Sequence, residues 1–485
     1  MTKNINDNHP NNKHHPKTAQ EYIDEKPTWS SGECLARSNI SSMQWMIWWL
    51  AGAGKFFEGM LVFMSGLTLP LISLTFSMND VEKGLYTAIV LIGIFVGAFL
   101  LGGLADRYGR RRMFVIEIAW LLVFVILAVV SVNYVMLMIM LFGVGMALGC
   151  DYPTAHLMIS ESIPTELRGR FVLGAFGFQA LGAFMGVLVI YLILLCYPYP
   201  DAWRIAYAVT VLPIMVIGYL RMRVPESSIW LSEKNKMKEA RASLKHLLKR
   251  KRHIHLKKPT TKKNIPTKYR DLFSKHVRRA TLLTSIPWFL QDLGTYGMGI
   301  FMPLILLNLF GFSTDHINYN LANIIHADRV SARYTVGLDF TLMLGIIAAV
   351  LLVNKLGRIK LQVIGFIGCM LGLLLVSIFI DNLANLKYVL LGFIIFNFMT
   401  NMGPNTQTYL LSGESFPTGL RGRGAGFAAS SGKLGAILIA FCFPILIRHM
   451  SESHLLQILA ATSLLGAIVT WLFRPKIECI SLERV

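Results

Sequence analysis

Charge is scarce in this chain: 15% of its 485 residues are Asp, Glu, Lys or Arg, against about a quarter in ordinary soluble domains. Acidic residues are the scarcer sign, 27 against 47 basic ones. Cysteine is sparse too. Cys34, Cys150, Cys196, Cys369, Cys442 and Cys479 form no CxxC pair, and most lie in apolar runs. They read as small core hydrophobes, which excludes a disulfide framework and argues against a metal or redox centre. No HExxH, no GxxxxGK[ST] and no nucleophile–His dyad is present, so enzyme and ATPase chemistry is not expected and no cofactor is implied. Residues 1–42 hold no apolar h-region, so no cleaved leader is expected. Their Asn, His, Lys and Pro, with His9, His14 and His15 among them, suit a solvated tail better than a metal site.

Hydrophobic residues are abundant instead, 54% of the chain, with a mean hydropathy of +0.53. That excludes a soluble globule and a disordered chain. Apolar runs fall near 44–76, 84–105, 113–132, 134–160, 170–197 and 203–223, then near 281–311, 336–354, 359–380, 387–412, 424–448 and 455–474. Each is about the 20 residues that one bilayer crossing needs. Helices are the default, because lipid leaves no partner for an unpaired backbone group. The fold class expected is therefore all-α, twelve transmembrane helices in two six-helix halves. The boundaries expected are a disordered tail at 1–42, a first bundle at 43–224, a basic loop at 225–279, a second bundle at 280–475 and a tail at 476–485.

The net charge of +20 is concentrated: residues 231–280 hold 18 Lys/Arg and 3 Asp/Glu. That pattern fits a loop facing anionic lipid and not a nucleic-acid-binding body. The loop 106–112, the basic loop and the tail beginning Arg474-Pro475-Lys476 fall on one side of an even-numbered bundle, which makes that side, and both termini, cytoplasmic. The polar connection 312–335 is then expected on the opposite side.

The two halves repeat. Residues 161–170 read ESIPTELRGR and residues 414–423 read ESFPTGLRGR, identical at eight of ten positions. Leu181-Gly182-Ala183 recurs as Leu434-Gly435-Ala436, and Asp106-Arg107-Tyr108-Gly109-Arg110 has a weaker echo in Asn354-Lys355-Leu356-Gly357-Arg358. Duplicated six-helix halves around a central path are a transporter architecture.

Gly102-Gly103-Leu104-Ala105-Asp106-Arg107-Tyr108-Gly109-Arg110-Arg111 resembles the loop signature of the major facilitator superfamily, and the resemblance runs from about residue 43 to 475. It implies two bundles rocking around a midplane site. Asp106, Arg107 and Arg110 lie at the turn, where Asp106 is expected to pair with an arginine of a neighbouring helix and hold one conformer shut. Glu161 with Arg168 and Arg170, and Glu414 with Arg421 and Arg423, are expected to form matching charge relays.

Ionisable residues inside apolar runs are costly, at least about 2.5–3.5 kcal/mol near the bilayer centre, and usually face a cavity. Here they are Lys55, Glu58, Glu117, Asp151, Asp292, Asp339 and Lys433. Trp288, Asp292 and Tyr296 are spaced four residues apart, an indole donor, a carboxylate and a phenol on one helical stripe. Segments around them resemble the phosphate:proton symporter branch: Cys150-Asp151-Tyr152-Pro153, Trp288-Phe289 with Asp292 and Tyr296, Asn401 with Gly403-Pro404-Asn405, and Ser431-Gly432-Lys433 with Gly435-Ala436. The resemblance implies that Tyr152, Gln179, Trp288, Asp292, Tyr296 and Asn405 line a substrate site, and that Glu117 and Asp151 are proton-route candidates. Lys433 can add balancing positive charge, and Glu58 and Asp292 are further proton-coupling candidates.

The first helix departs from that branch. Lys55-Phe56-Phe57-Glu58 stands where two acids are usual, and Lys55 and Glu58 at i, i+3 can pair internally. Phosphate is the first substrate expected, with an organic anion or other metabolite as the alternative. A sugar is a further one, since Pro225-Glu226-Ser227-Ser228-Ile229-Trp230-Leu231 resembles a sugar-porter segment lacking its arginine. A non-transporting receptor is the reading from a different class. The partners expected are substrate, protons and lipid in the inner or plasma membrane, with a monomeric carrier and no nucleic acid.

Overall fold

Helices form wherever the sequence is continuously apolar, since only internal backbone pairing survives in lipid. The computed structural model describes residues 17–25, 40–101, 104–249, 254–257, 269–309, 321–381, 383–416 and 420–474. Among them are 12 helices long and apolar enough to cross a membrane. In chain order they are α1 Ser42–Phe76, α2 Asp80–Leu101, α3 Arg110–Val129, α4 Tyr134–Ser160, α5 Thr165–Cys196 and α6 Ala202–Arg221. The second half has α7 Arg278–Leu309, α8 Leu321–Leu356, α9 Arg358–Phe379, α10 Leu386–Glu414, α11 Arg421–His449 and α12 Glu452–Phe473. The chain is an integral, multi-pass membrane protein.

Packing follows the repeat. In the first half α1 packs on α5, α2 and α3 on α4, and α3 on α6. In the second half α7 packs on α11, α8 and α9 on α10, and α9 on α12. The halves meet along α2–α11, its symmetry mate α5–α8, and α1–α7. Away from the basic loops, the seam is closed by Thr87 Oγ1 donating to the Ala440 carbonyl at 2.7 Å and by an Asp80–Arg448 ion pair. At the basic end the Tyr409 ring stacks on Phe176 at 4.8 Å, and its hydroxyl lies 3.2 Å from His156 Nδ1.

Three expectations about the connections need correction. The tail 1–42 is not wholly unstructured: Ala19–Asp24 is a helix with a Thr18/Glu21 capping box, and its Ile23 is buried in one apolar cluster with Leu231, Leu244 and Leu247. The basic loop carries helices at Ser228–Glu233 and Met237–Leu248 and a 3-10 turn at Tyr269–Phe273. The connection 312–335 gives way to helix from Leu321 onward. Its polar residues looked like a loop because Asp328, Ser331 and Thr335 turn inward on α8, where Ser331 donates to the Pro303 carbonyl.

At the basic end of the first half two helices begin without a side-chain cap of their own, α3 after Gly109 and α5 after Pro164. Acids from elsewhere in the chain supply it. Glu226 Oε1 accepts from Arg111 N at 2.9 Å, and Asp24 Oδ1 accepts from Thr165 N at 2.7 Å. A carboxylate there satisfies orphan donors and meets the positive end of the helix dipole.

Candidate functional site

Four helices bring polar side chains together at mid-height. Glu58 from α1 is 2% exposed, and it is held by lysines on both of its oxygens. Lys55, one turn earlier on α1, pairs with Oε2, and Lys433 from α11 lies 2.9 Å from Oε1. The Tyr296 hydroxyl from α7 is 2.5 Å from Lys433 Nζ and 3.3 Å from Glu58 Oε1. Gln179 from α5 donates to the Tyr296 oxygen at 3.1 Å and to Glu58 Oε1 at 3.5 Å. The approach of α5 to α1 that allows this needs Gly59, where a Cβ would sit 2.0 Å from the Gln179 carbonyl oxygen.

A second polar chain adjoins it on the second half. Gln291 Nε2 donates to Thr295 Oγ1 at 2.7 Å and to Asn405 Oδ1 at 3.1 Å. Asn405 donates to Asn401 at 2.6 Å, and Thr295 bonds Thr400 at 3.0 Å. The break that exposes Asn405 is Gly403, which ends the first part of α10 before Pro404 restarts it. Asp292, 2% exposed, lies within electrostatic reach of Lys433, Glu58 and Lys55, and its Oδ2 is buried with no protein hydrogen-bond partner. Trp288 lies further toward the basic end, in space that Gly432 leaves open, with its ring 6.3 Å from that of Tyr409. Between the two chains is a cavity of 20 Å³ lined by Phe63, Phe176, Gln179, Thr295, Leu342 and Asn405. That is room for about one water, so the chamber is occluded in this conformation.

Of the residues proposed from sequence, Gln179, Tyr296, Asn405, Lys433, Asp292 and Glu58 meet here, with Trp288 at the margin. The side chain of Tyr152 lies outside the described residues. Glu117 and Asp151 do not join the cluster. Glu117 accepts from Thr154 at 2.7 Å and from Cys150 Sγ at 3.1 Å, and Asp151 is paired with Arg221 at 2.5 Å. Asp339 is 1% exposed on α8, one turn from Leu342, and forms no part of either polar chain.

The two relay acids at the basic end pair with arginines outside the repeated motif. Glu161 pairs with Arg110 (Nη2 to Oε1, 3.1 Å) and also accepts from Ser227, and Glu414 pairs with Arg358 (Nε to Oε2, 2.5 Å). Arg110 and Arg358 each follow a glycine with positive φ, Gly109 at 107° and Gly357 at 79°. Such angles favour glycine and turn the arginine back onto its own half. The weaker sequence echo, 106–110 with 354–358, was therefore the informative one. Glu161 sits just beyond α4, and burial pushes its carboxyl above the usual range against the pull of Arg110. Arg107 is exposed and lies over the Tyr108 ring, while the side chains of Asp106 and Arg421 lie outside the described residues.

Sequence reasoning missed Gln291 and Thr295, which sit one position off the stripe it followed on α7, and Thr400, which precedes Asn401 on α10. It also missed Arg221, which reads as a flanking charge at the end of an apolar run.

Known proteins give a consistent picture. Residues 13–485 match the family described as Sugar (and other) transporter. A niacin transporter of Acinetobacter baylyi (strain ATCC 33305 / BD413 / ADP1) is 26% identical over 86% of this chain and 89% of its own. A probable inorganic phosphate transporter 1-12 of Oryza sativa subsp. japonica is 26% identical over 82% of this chain and 81% of its own. The fold matches the xylose transporter of E. coli in a partially occluded inward-open conformation, with a TM-score of 0.72, 18% identity, and 90% and 100% of the two chains covered.

Proposed function

The chain belongs to the sugar (and other) transporter family, within the major facilitator superfamily, and on that premise we propose that it is a monomeric proton-coupled symporter for a small anion. Inorganic phosphate is the first substrate to test. The basic end faces the cytoplasm of an inner or plasma membrane, with both termini on that side. Relatives and fold are those of transporters and not of enzymes.

Glu58 carries the reading. It sits between Lys55 on its own helix and Lys433 on the opposite half, as an internal anion between two ammonium groups. A proton on Glu58 removes its charge and releases Lys433. An incoming anion then takes the vacated place. Empty with Glu58 ionised, or loaded with Glu58 protonated, the site has the same charge. An uncompensated charge in the membrane costs at least about 2.5–3.5 kcal/mol, so slip with only one of the two ligands is disfavoured by roughly two orders of magnitude. Gln179 and Tyr296 supply donors to the anion, and Asp292 accepts from a phosphate hydroxyl.

A second reading is an aromatic monocarboxylate. Phe63, Phe176, Leu342 and Ile346 line the cavity, more apolar surface than phosphate uses, and a niacin transporter is among the relatives. Purified protein in liposomes under an imposed pH gradient distinguishes these. Labelled phosphate, nicotinate, amino acids and xylose are offered in turn. Accumulation of phosphate or nicotinate that collapses with a protonophore supports the proposal. Accumulation of xylose alone, or saturable binding without any flux, contradicts it; the latter favours a receptor.

A further inference from the structure

The first half contains a second ionic cluster, deeper in its own bundle than the chamber. Arg221 ends α6 yet is 0% exposed. Its Nη1 donates to Asp151 Oδ1 at 2.5 Å and to the Phe114 carbonyl at 3.0 Å, and its Nη2 donates to the Leu50 carbonyl at 3.0 Å. The guanidinium also lies 3.7 Å over the Phe114 ring. One side chain thus ties α6 to α1, α3 and α4. The other Asp151 oxygen is pressed against α1 at Gly54, where a Cβ would fall 1.6 Å from Oδ2. Gly54 immediately precedes Lys55, the lysine that holds Glu58.

The charged groups facing Asp151 are few. Arg221 comes from α6, Lys55 from α1 and Glu117 from α3. The charged residues of α2, Asp80, Glu82 and Lys83, all lie in its first turn at the far end. On α4 itself His156 is more than one turn away, beside Arg168 of α5.

We propose that Asp151 is not a carrier of the transported proton but the permanent counter-ion of Arg221, and that Arg221 is a positioning residue which sets α1 so that Lys55 and Glu58 reach the chamber. The guanidinium never gives up its proton. A proton on Asp151 would leave it as a buried, uncompensated charge, whereas a proton on Glu58 is compensated when an incoming anion meets Lys433. The pair therefore stays ionised through the cycle, and its three carbonyl and carboxylate contacts fix the angle of α1. This rests on the proton-coupled reading of Glu58.

The test uses the full-length protein in liposomes, with labelled phosphate or nicotinate, whichever the substrate panel identifies. Removing one partner of a buried pair is far worse than neutralising both. Arg221→Gln and Asp151→Asn singly should each lower uptake at least about tenfold, and the double variant should recover gradient-driven accumulation. A double variant that performs counterflow but no longer accumulates substrate would show Asp151 to be the proton carrier. Arg221→Lys keeps the charge and guards against a double variant that fails to fold. Its uptake falls, but the midpoint of its pH profile stays put. A shift of more than about half a pH unit overturns the proposal, because changing the partner of a titrating carboxylate moves its titration. If Glu58→Gln itself accumulates substrate normally, the coupling role of Glu58 fails, and the Arg221 results still decide the role of Asp151.

Discussion

Lys433 Nζ lies 2.9 Å from Glu58 Oε1 across the seam between the two halves. The pair links α11 to α1 at the centre of the molecule, where the halves must move relative to one another for a solute to pass. An ion pair within one half could be purely structural. One that spans the seam lies where movement of the halves can open it, and so can be exchanged for a ligand.

Lys433→Met should remove the anion's partner on the second half. Substrate affinity is expected to fall at least about tenfold, the scale of one hydrogen bond to a charged group. Lys55→Ala should have a smaller effect, since Lys55 pairs with Glu58 on its own helix. Equilibrium binding to the detergent-solubilised protein checks both. Equal losses for the two would mean that both lysines hold substrate.

Asp292→Asn should abolish pH-driven uptake. The residue is buried on the polar stripe of α7 within electrostatic reach of the two lysines, with one carboxylate oxygen unused by the protein. Uptake under an imposed gradient checks it, and wild-type transport in the variant would remove Asp292 from the mechanism.

Glu161 offers a pH test outside the membrane. Its folded pKa is raised by burial, so its contribution to stability is fullest below the unfolded value and is lost as pH rises through the folded one. Glu161→Gln does not titrate. The melting-temperature advantage of wild type over this variant should therefore shrink as pH rises from about 4 through that window. An advantage that grows with pH contradicts the assignment.

Asp24 caps α5 from outside, with Oδ1 on Thr165 N and Oδ2 on Thr165 Oγ1 at 2.7 and 2.9 Å. Asp24→Ala should cost about 1 kcal/mol, the usual worth of an N-cap. Thermal unfolding, compared with an Asp24→Asn control that retains an acceptor, checks it. No change in either variant would mean that the clasp is not formed in solution.

The fold was legible because a membrane imposes one simple rule, and apolar length alone yields the spans. Where polar residues face inward, as Asp328, Ser331 and Thr335 do on α8, hydropathy mistakes a buried face for a loop. The chamber was largely legible for the same reason: a charge in an apolar run is expensive, so Glu58, Asp292 and Lys433 stand out. Pairing was not legible. Arg221 with Asp151, Arg110 with Glu161 and Arg358 with Glu414 join residues 51 to 70 positions apart, and sequence spacing carries no signal for contacts set by how helices meet. The mixed donors Gln291, Thr295 and Thr400 escaped notice because uncharged polar residues are common in such helices and gain meaning only from their neighbours.

Proton uptake on ligand binding tests the exchange at Glu58 most directly. Phosphate or nicotinate, whichever is transported, is added to weakly buffered, detergent-solubilised protein, and the pH change is recorded with an indicator dye. The wild type should take up close to one proton per anion bound, and Glu58→Gln should bind the anion with no proton uptake. Undiminished proton uptake by Glu58→Gln, or anion binding to wild type with no proton taken up at all, would contradict the account.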